Sequence, residues 1–170
     1  MKPREMALVA MCAVLIFAQE QALVFLPNIQ LTTLLILVFS RFLKLRSALI
    51  MVWIYVFLDH LLMGGFSVLY TPSALLAWSI IPLASHTFLA TSRPLPLALA
   101  GFIFGFLYGW LYLPAWMIQY GMRDIWPYLV ADFPFEVIMA IANFLTILWL
   151  YEPLTQRIQI FMERRNVSFR

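Results

Sequence analysis

The sequence predicts an all-α integral membrane protein, six transmembrane helices in one compact bundle with both termini in the cytoplasm. Three observations carry this. The chain is 64% hydrophobic and only 11% charged, with a mean hydropathy of +0.91, whereas a soluble domain of this length shows far more charge. Its apolar runs are long enough to cross a hydrocarbon core of about 30 Å. All but one of its 11 Lys and Arg fall on one side of a six-span reading.

The spans are placed from breaks in the apolar runs. Span 1 covers 6–24, span 2 covers 28–42 and span 3 covers 48–63. Span 4 covers 73–90, span 5 covers 95–118 and span 6 covers 128–150. Pro27, Pro72, Pro94, Pro127 and Pro153 each sit beside a proposed end, where a missing N–H costs least. Pro82 and Pro114 fall inside spans as possible kinks, and span 2 is short, so it is thinly embedded or extended by its flanks. One domain, residues 1–170, accounts for the whole sequence, without linker or low-complexity tract.

Orientation follows from basic residues in short loops. Lys2 and Arg4 precede span 1; Arg41, Lys44 and Arg46 separate spans 2 and 3; Arg93 separates spans 4 and 5. Arg157, Arg164, Arg165 and Arg170 follow span 6, leaving Arg123 alone on the outer side. The expected location is a cell membrane, as a multi-pass protein. Lys2 and Arg4 before an apolar run also suggest a signal peptide, but Gln19-Glu20-Gln21 interrupts that run and no small-residue cleavage site follows, so a retained span is expected. The lone Cys12 excludes an intramolecular disulfide and reads as a buried small apolar group. The positive balance lacks any basic–aromatic patch, so no nucleic acid is expected as a partner; the lipid bilayer is.

Acidic residues are distributed the other way. Glu20, Asp59, Asp124, Asp132 and Glu136 lie toward the outer side; Glu5, Glu152 and Glu163 lie inside. Asp132 and Glu136 are four apart and Asn143 follows seven later, so all three project from one helical stripe. At about 1.5 Å per residue from Tyr128, Glu136 lies about 12 Å into its span. A charge at the middle of a lipid-facing helix costs about 2.5–3.5 kcal/mol, so the stripe faces the bundle interior or a cavity. Glu136 is then either neutralised or held by a structural partner, or it lines a site open to the outside.

Other polar and aromatic residues collect at that end. Asn28 and Gln30 follow span 1, Asp59 and His60 close span 3, and Trp110, Tyr112, Trp116 and Trp126 surround the outer end of span 5. Singly, each ring suits the interfacial belt of any membrane protein. Together with the acids and amides they suit a recessed pocket for a small molecule. His60 and His86 fall on opposite sides, and no metal-ligand spacing is present. Gly101, Gly105 and Gly109 repeat every four residues and form a flat stripe for close helix packing. Ala7, Ala10 and Ala13 give span 1 a partly small surface, suited to the bundle or to another subunit.

Enzymatic chemistry finds no motif: no phosphate loop, nucleophile elbow or HExxH is present, and no cofactor is expected. Lacking an ATP-binding motif and an evident inverted repeat, the chain suits a binding subunit or a scaffold better than an autonomous pump.

Three stretches resemble the substrate-binding S component of energy-coupling factor (ECF) transporters. The first is span 1 with its alanines running into Phe25-Leu26-Pro27-Asn28-Ile29-Gln30-Leu31; the second is Gly101 to Tyr112. The third runs from Ala131-Asp132-Phe133-Pro134-Phe135-Glu136 through Ala142-Asn143-Phe144 to Tyr151-Glu152-Pro153-Leu154. It is similar to the family's Pro-Phe-Asp, mid-helix Asn-Phe and closing Pro-Leu, with Glu136 where Asp is more usual. The resemblance implies capture of a vitamin-like small molecule in an outer pocket built mainly from spans 4 to 6 and capped by the loop after span 1. The implied binding residues are Asn28, Gln30, Asp59, Trp116, Asp132, Glu136 and Asn143. It also implies partners, a transmembrane coupling subunit and two ATPase subunits. The family's Ala-x-x-x-Ala docking surface is matched only in part: Ala7, Ala10 and Ala13 are spaced by three, and the four-spaced Ala18 and Ala22 lie at the outer end.

A second resemblance is fainter. Leu58-Asp59-His60-Leu61-Leu62-Met63-Gly64-Gly65 is similar to a stretch of the six-span bacterial cell-shape protein MreD, a scaffold of wall synthesis. Five outer acids against one outer Arg favour a neutral or cationic ligand over a polyanion. Riboflavin, thiamine, cobalamin and a queuosine precursor all remain within the class.

Overall fold

Backbone groups that cannot reach water in lipid must be satisfied within the segment, and the apolar runs of this chain accordingly close into helices. The computed structural model describes residues 1, 3–90 and 93–164. Among the described residues there are six α-helices and no strand: α1 (Pro3–Ala22), α2 (Thr32–Phe42), α3 (Leu45–Asp59), α4 (Tyr70–His86), α5 (Pro94–Tyr120) and α6 (Trp126–Arg164). A π-helical turn, His60–Gly64, continues α3. Four stretches are long and apolar enough to cross a membrane: Pro3–Ala22, Leu45–Met63, Pro94–Tyr120 and Trp126–Arg164.

The two remaining helices differ from that pattern for local reasons. Helix α2 begins at Thr32 rather than 28 and has 11 residues, about 16 Å, roughly half a hydrocarbon core. Its length is compatible with an apolar setting because protein surrounds it: Thr32, Thr33, Leu34, Ile36, Leu37, Val38 and Ser40 are all buried, and α1, α3, α4 and α6 pack against it. Irregular backbone at membrane depth is tolerated where protein covers it. Helix α4 starts at Tyr70 because Pro72 fits a first turn, where its missing N–H has no partner to lose.

Span 6 was expected to stop near Leu150, before Pro153. Instead α6 runs through Pro153 for 39 residues, about 58 Å. Proline removes one ladder bond, but the chain beyond it is supported. Thr155 Oγ1 donates to Tyr151 O at 2.8 Å, and Glu152–Gln156 and Gln159–Glu163 pair at four-residue spacing. Helix α5 ends at Gly121, whose φ of 63° supplies the left-handed cap that stops a helix.

The most extensive pairing is α5 with α6. A Cβ on Gly105 would sit 2.5 Å from the Ala140 backbone, and one on Gly101 would collide with Ile147 Cδ1. The four-spaced glycines therefore form the surface on which α6 lies. Facing them, α6 buries Glu136, Met139, Ala140, Asn143, Ile147, Tyr151 and Thr155 at intervals of three and four. Helices α1 and α3 form a second pair, and α4 joins α3 to α5. Cys12, on α1, is buried in the core as a free thiol.

The antiparallel run of helices gives the bundle two chemically distinct ends. Arg4, Arg41, Lys44, Arg46, Arg93, Arg157 and Arg164 gather at one. There Ser47 Oγ donates to Glu5 at 2.6 Å, and His86 Nε2 lies 3.0 Å from Leu43 O. Lys2, Arg165 and Arg170 lie outside the described residues. Asn28, Asp59, Tyr70, Arg123 and the start of α6 lie at the other end, which carries Asp132 and Glu136.

Candidate functional site

Helix α6 enters the acidic end with Tyr128, Asp132 and Glu136 at four-residue spacing, one stripe aimed at α5. Gly109 receives them. A Cβ at that position would meet Asp132 Oδ2 and would stand 2.6 Å from Glu136 Oε1, so glycine is what leaves room for both carboxylates. The Tyr128 hydroxyl donates to Gly109 O at 2.7 Å and ties the entry of α6 to α5.

A cavity of about 210 Å³ opens here. Helix α5 contributes Gly105, Tyr108, Gly109 and Tyr112; α6 contributes Tyr128, Asp132, Phe135, Glu136 and Met139. Tyr70 from α4 and Asn28 from the α1–α2 connection close the remaining sides. The rings form a continuous wall: Tyr70 stacks on Tyr112 at 6.2 Å, Tyr112 lies 5.0 Å from Tyr108, and Trp78 backs Tyr108 at 5.0 Å. The Tyr108 and Tyr112 hydroxyls share a hydrogen bond of 3.1 Å.

Glu136 is the anomaly in this wall. Its residue is 4% exposed, yet its Oε1 has no hydrogen-bond partner. The Trp110 indole lies near the same carboxylate. A buried acceptor without a donor costs about 1–3 kcal/mol, and at the wall of a cavity a bound donor would offset that cost.

Asn28 lines a second cavity as well, of about 170 Å³, together with Glu20, Gln21, Gln30, Asp59 and Met63. Asn28 adopts a φ of 59°, a left-handed conformation that asparagine tolerates better than bulkier residues. The connection around it is fixed by Gln19, whose Nε2 donates to Ile16 O at 2.9 Å and Thr32 Oγ1 at 2.8 Å, and whose Oε1 accepts from Leu31 N at 2.8 Å. Glu20 Oε2 accepts the Tyr55 hydroxyl at 2.7 Å.

The expected binding residues thus separate. Asp132, Glu136 and Asn28 share the larger cavity, whereas Gln30 and Asp59 line the smaller one. Trp116 lines neither; it packs behind Tyr128 at 5.2 Å. Asn143 does not line this cavity: it is 1% exposed, its Nδ2 donates to Gly101 O at 3.1 Å and joins the two helices below the cavity, and its Oδ1 is buried without a partner. On α1, Ala7 and Ala10 are exposed, but Ala13 is fully buried and cannot contribute to a docking surface. Sequence reasoning overlooked Tyr70, Tyr108, Tyr128 and Met139 as wall residues. Two of them carried a readable signal: Tyr128 stands four before Asp132, and Tyr108 stands three after Gly105.

Among the described residues no group of three His, Cys, Asp or Glu could hold a metal ion. No protein-family model matches the chain, and no curated protein or solved structure matches it. The site is therefore read from its own chemistry: a recessed, tyrosine-walled cavity with two acids and an amide, suited to reversible binding of a small molecule.

Proposed function

We propose that this chain is the substrate-binding S component of an ECF-type transporter, capturing a vitamin-like small molecule at the outer face of a prokaryotic plasma membrane. In this reading all six helices cross the membrane, the acidic end faces outward, and the basic end with both termini lies in the cytoplasm, where Lys and Arg hold short loops. The observation that carries the proposal is the buried Glu136 carboxylate, with Oε1 unpartnered, at the wall of a cavity beside the Asn28 connection. A scaffold does not require such a group; a capture site does, because the occupant completes the missing hydrogen bond. A coupling subunit and two ATPases would supply the energy, since the sequence has no phosphate-binding loop.

Native mass spectrometry of the purified chain tests this directly. A small molecule should co-purify, bind without ATP, and be accumulated by vesicles only when a coupling subunit and ATPases are present. Concentrative uptake by the chain alone, without ATP, would refute the assignment. Absence of any bound small molecule would move the balance to the scaffold reading.

A further inference from the structure

The larger cavity has an unbalanced electrical lining. Asp132 and Glu136 both face it, and none of the described residues that line it is Lys, Arg or His. Arg123, the basic residue of that end, is exposed on the connection between α5 and α6 and does not reach the wall. Protein donors are also short. The Tyr128 hydroxyl has one proton, already directed at Gly109 O at 2.7 Å. Glu136 Oε1, in a residue 4% exposed, receives nothing.

We propose that the occupant of this cavity is an organic cation, presenting an ammonium or amidinium group to Asp132 and Glu136 on a head about one aromatic ring in size. The proposal rests on the capture reading above and names its ligand class. An anion would stand against two carboxylates in a poorly screened site, and a neutral acceptor would leave Glu136 Oε1 unmatched. A cation with several N–H donors satisfies both acids, with charge-assisted bonds roughly twice as strong as neutral ones. The faces of Tyr70, Tyr108 and Tyr112 add a surface that attracts positive charge. Size follows from volume: a cavity of about 150 Å³ accommodates benzene, and this one has about 210 Å³.

The test uses three probes of one shape: benzamidinium, benzamide and benzoate, titrated calorimetrically into the full chain in lipid nanodiscs. Benzamidinium should bind at least about tenfold more tightly than benzamide, with benzoate weakest. Glu136→Gln and Asp132→Asn should each shrink that advantage several-fold while the proteins remain monodisperse and melt as the parent does. Because either variant could misfold, the ranking of the three probes on the unmodified chain is decisive alone. Equal or tighter binding of benzamide or benzoate, or no binding of any probe, overturns the cation class. The capture reading is judged separately, by the molecule that co-purifies. A neutral or anionic molecule released by Glu136→Gln sinks the cation inference and leaves capture standing; no co-purifying molecule and no probe binding sinks both.

Discussion

Single atoms decide how the glycines of α5 differ. A Cβ on Gly105 would meet the Ala140 backbone at 2.5 Å, and backbone cannot give way without moving a helix. At Gly109 the nearest obstructing atoms are carboxylate oxygens at the free ends of Asp132 and Glu136, which can rotate aside, with Glu136 Cγ next at 3.2 Å. Gly105→Ala should therefore destabilise the protein by about 1–3 kcal/mol, the usual range for overpacking, and lower its melting temperature. Gly109→Ala should melt close to the parent yet lose most ligand binding, because the carboxylates are displaced from the cavity wall. Thermal melts and binding titrations on the two variants check the contrast. Equal losses of stability would show that the carboxylates are as rigid as backbone.

Among the elements, α2 is the one whose existence depends most on its neighbours. Eleven residues form too short a helix to be stable alone, and its start is organised by a side chain from α1. Gln19 accepts from Leu31 N at 2.8 Å and donates to Thr32 Oγ1 at 2.8 Å, fixing the connection that carries Asn28. Gln19→Leu would leave the Leu31 N–H without its partner, a loss of about 1–3 kcal/mol. The expected outcome is faster hydrogen exchange across 23–31, with α5 and α6 unchanged, and weaker ligand binding through displacement of Asn28. Unchanged exchange would mean that the connection is held by other contacts. The same connection explains why the expected pocket divided in two: Asn28 stands between the cavities, with Gln30 and Asp59 on one side and Glu136 on the other.

At the scale of the molecule, charge and helix direction are arranged together. Antiparallel helices bring Arg4, Arg41, Lys44, Arg46 and Arg93 to one end from separate stretches of sequence, and Asp132 and Glu136 to the other. Reporter tags on the two termini should both read cytoplasmic, and a cysteine placed at Asn28 should be labelled by an impermeant reagent from outside. Labelling of either terminus from outside would reverse the bundle and close the cavity to an external ligand.

The sequence by itself determined the helical class, the apolar runs and their turns, and the placement of Asp132, Glu136 and Asn143 on one stripe. These are local properties: hydropathy, proline and the 3.6-residue period act within a few residues of chain. Only the tertiary structure decided which part of that stripe faces a cavity and which part packs. Glu136 and Asn143 are both polar in sequence, but Gly109 opens space opposite the first, while Gly101 O approaches the second and accepts from its Nδ2. Ala13 likewise resembles Ala7 and Ala10 until the packing of α1 turns it inward. The length of α6 past Pro153 and the shortness of α2 belong here too, since both depend on what surrounds a helix rather than on its residues alone. Periodicity specifies a face; only the neighbouring backbone determines whether that face meets a cavity, another helix or lipid.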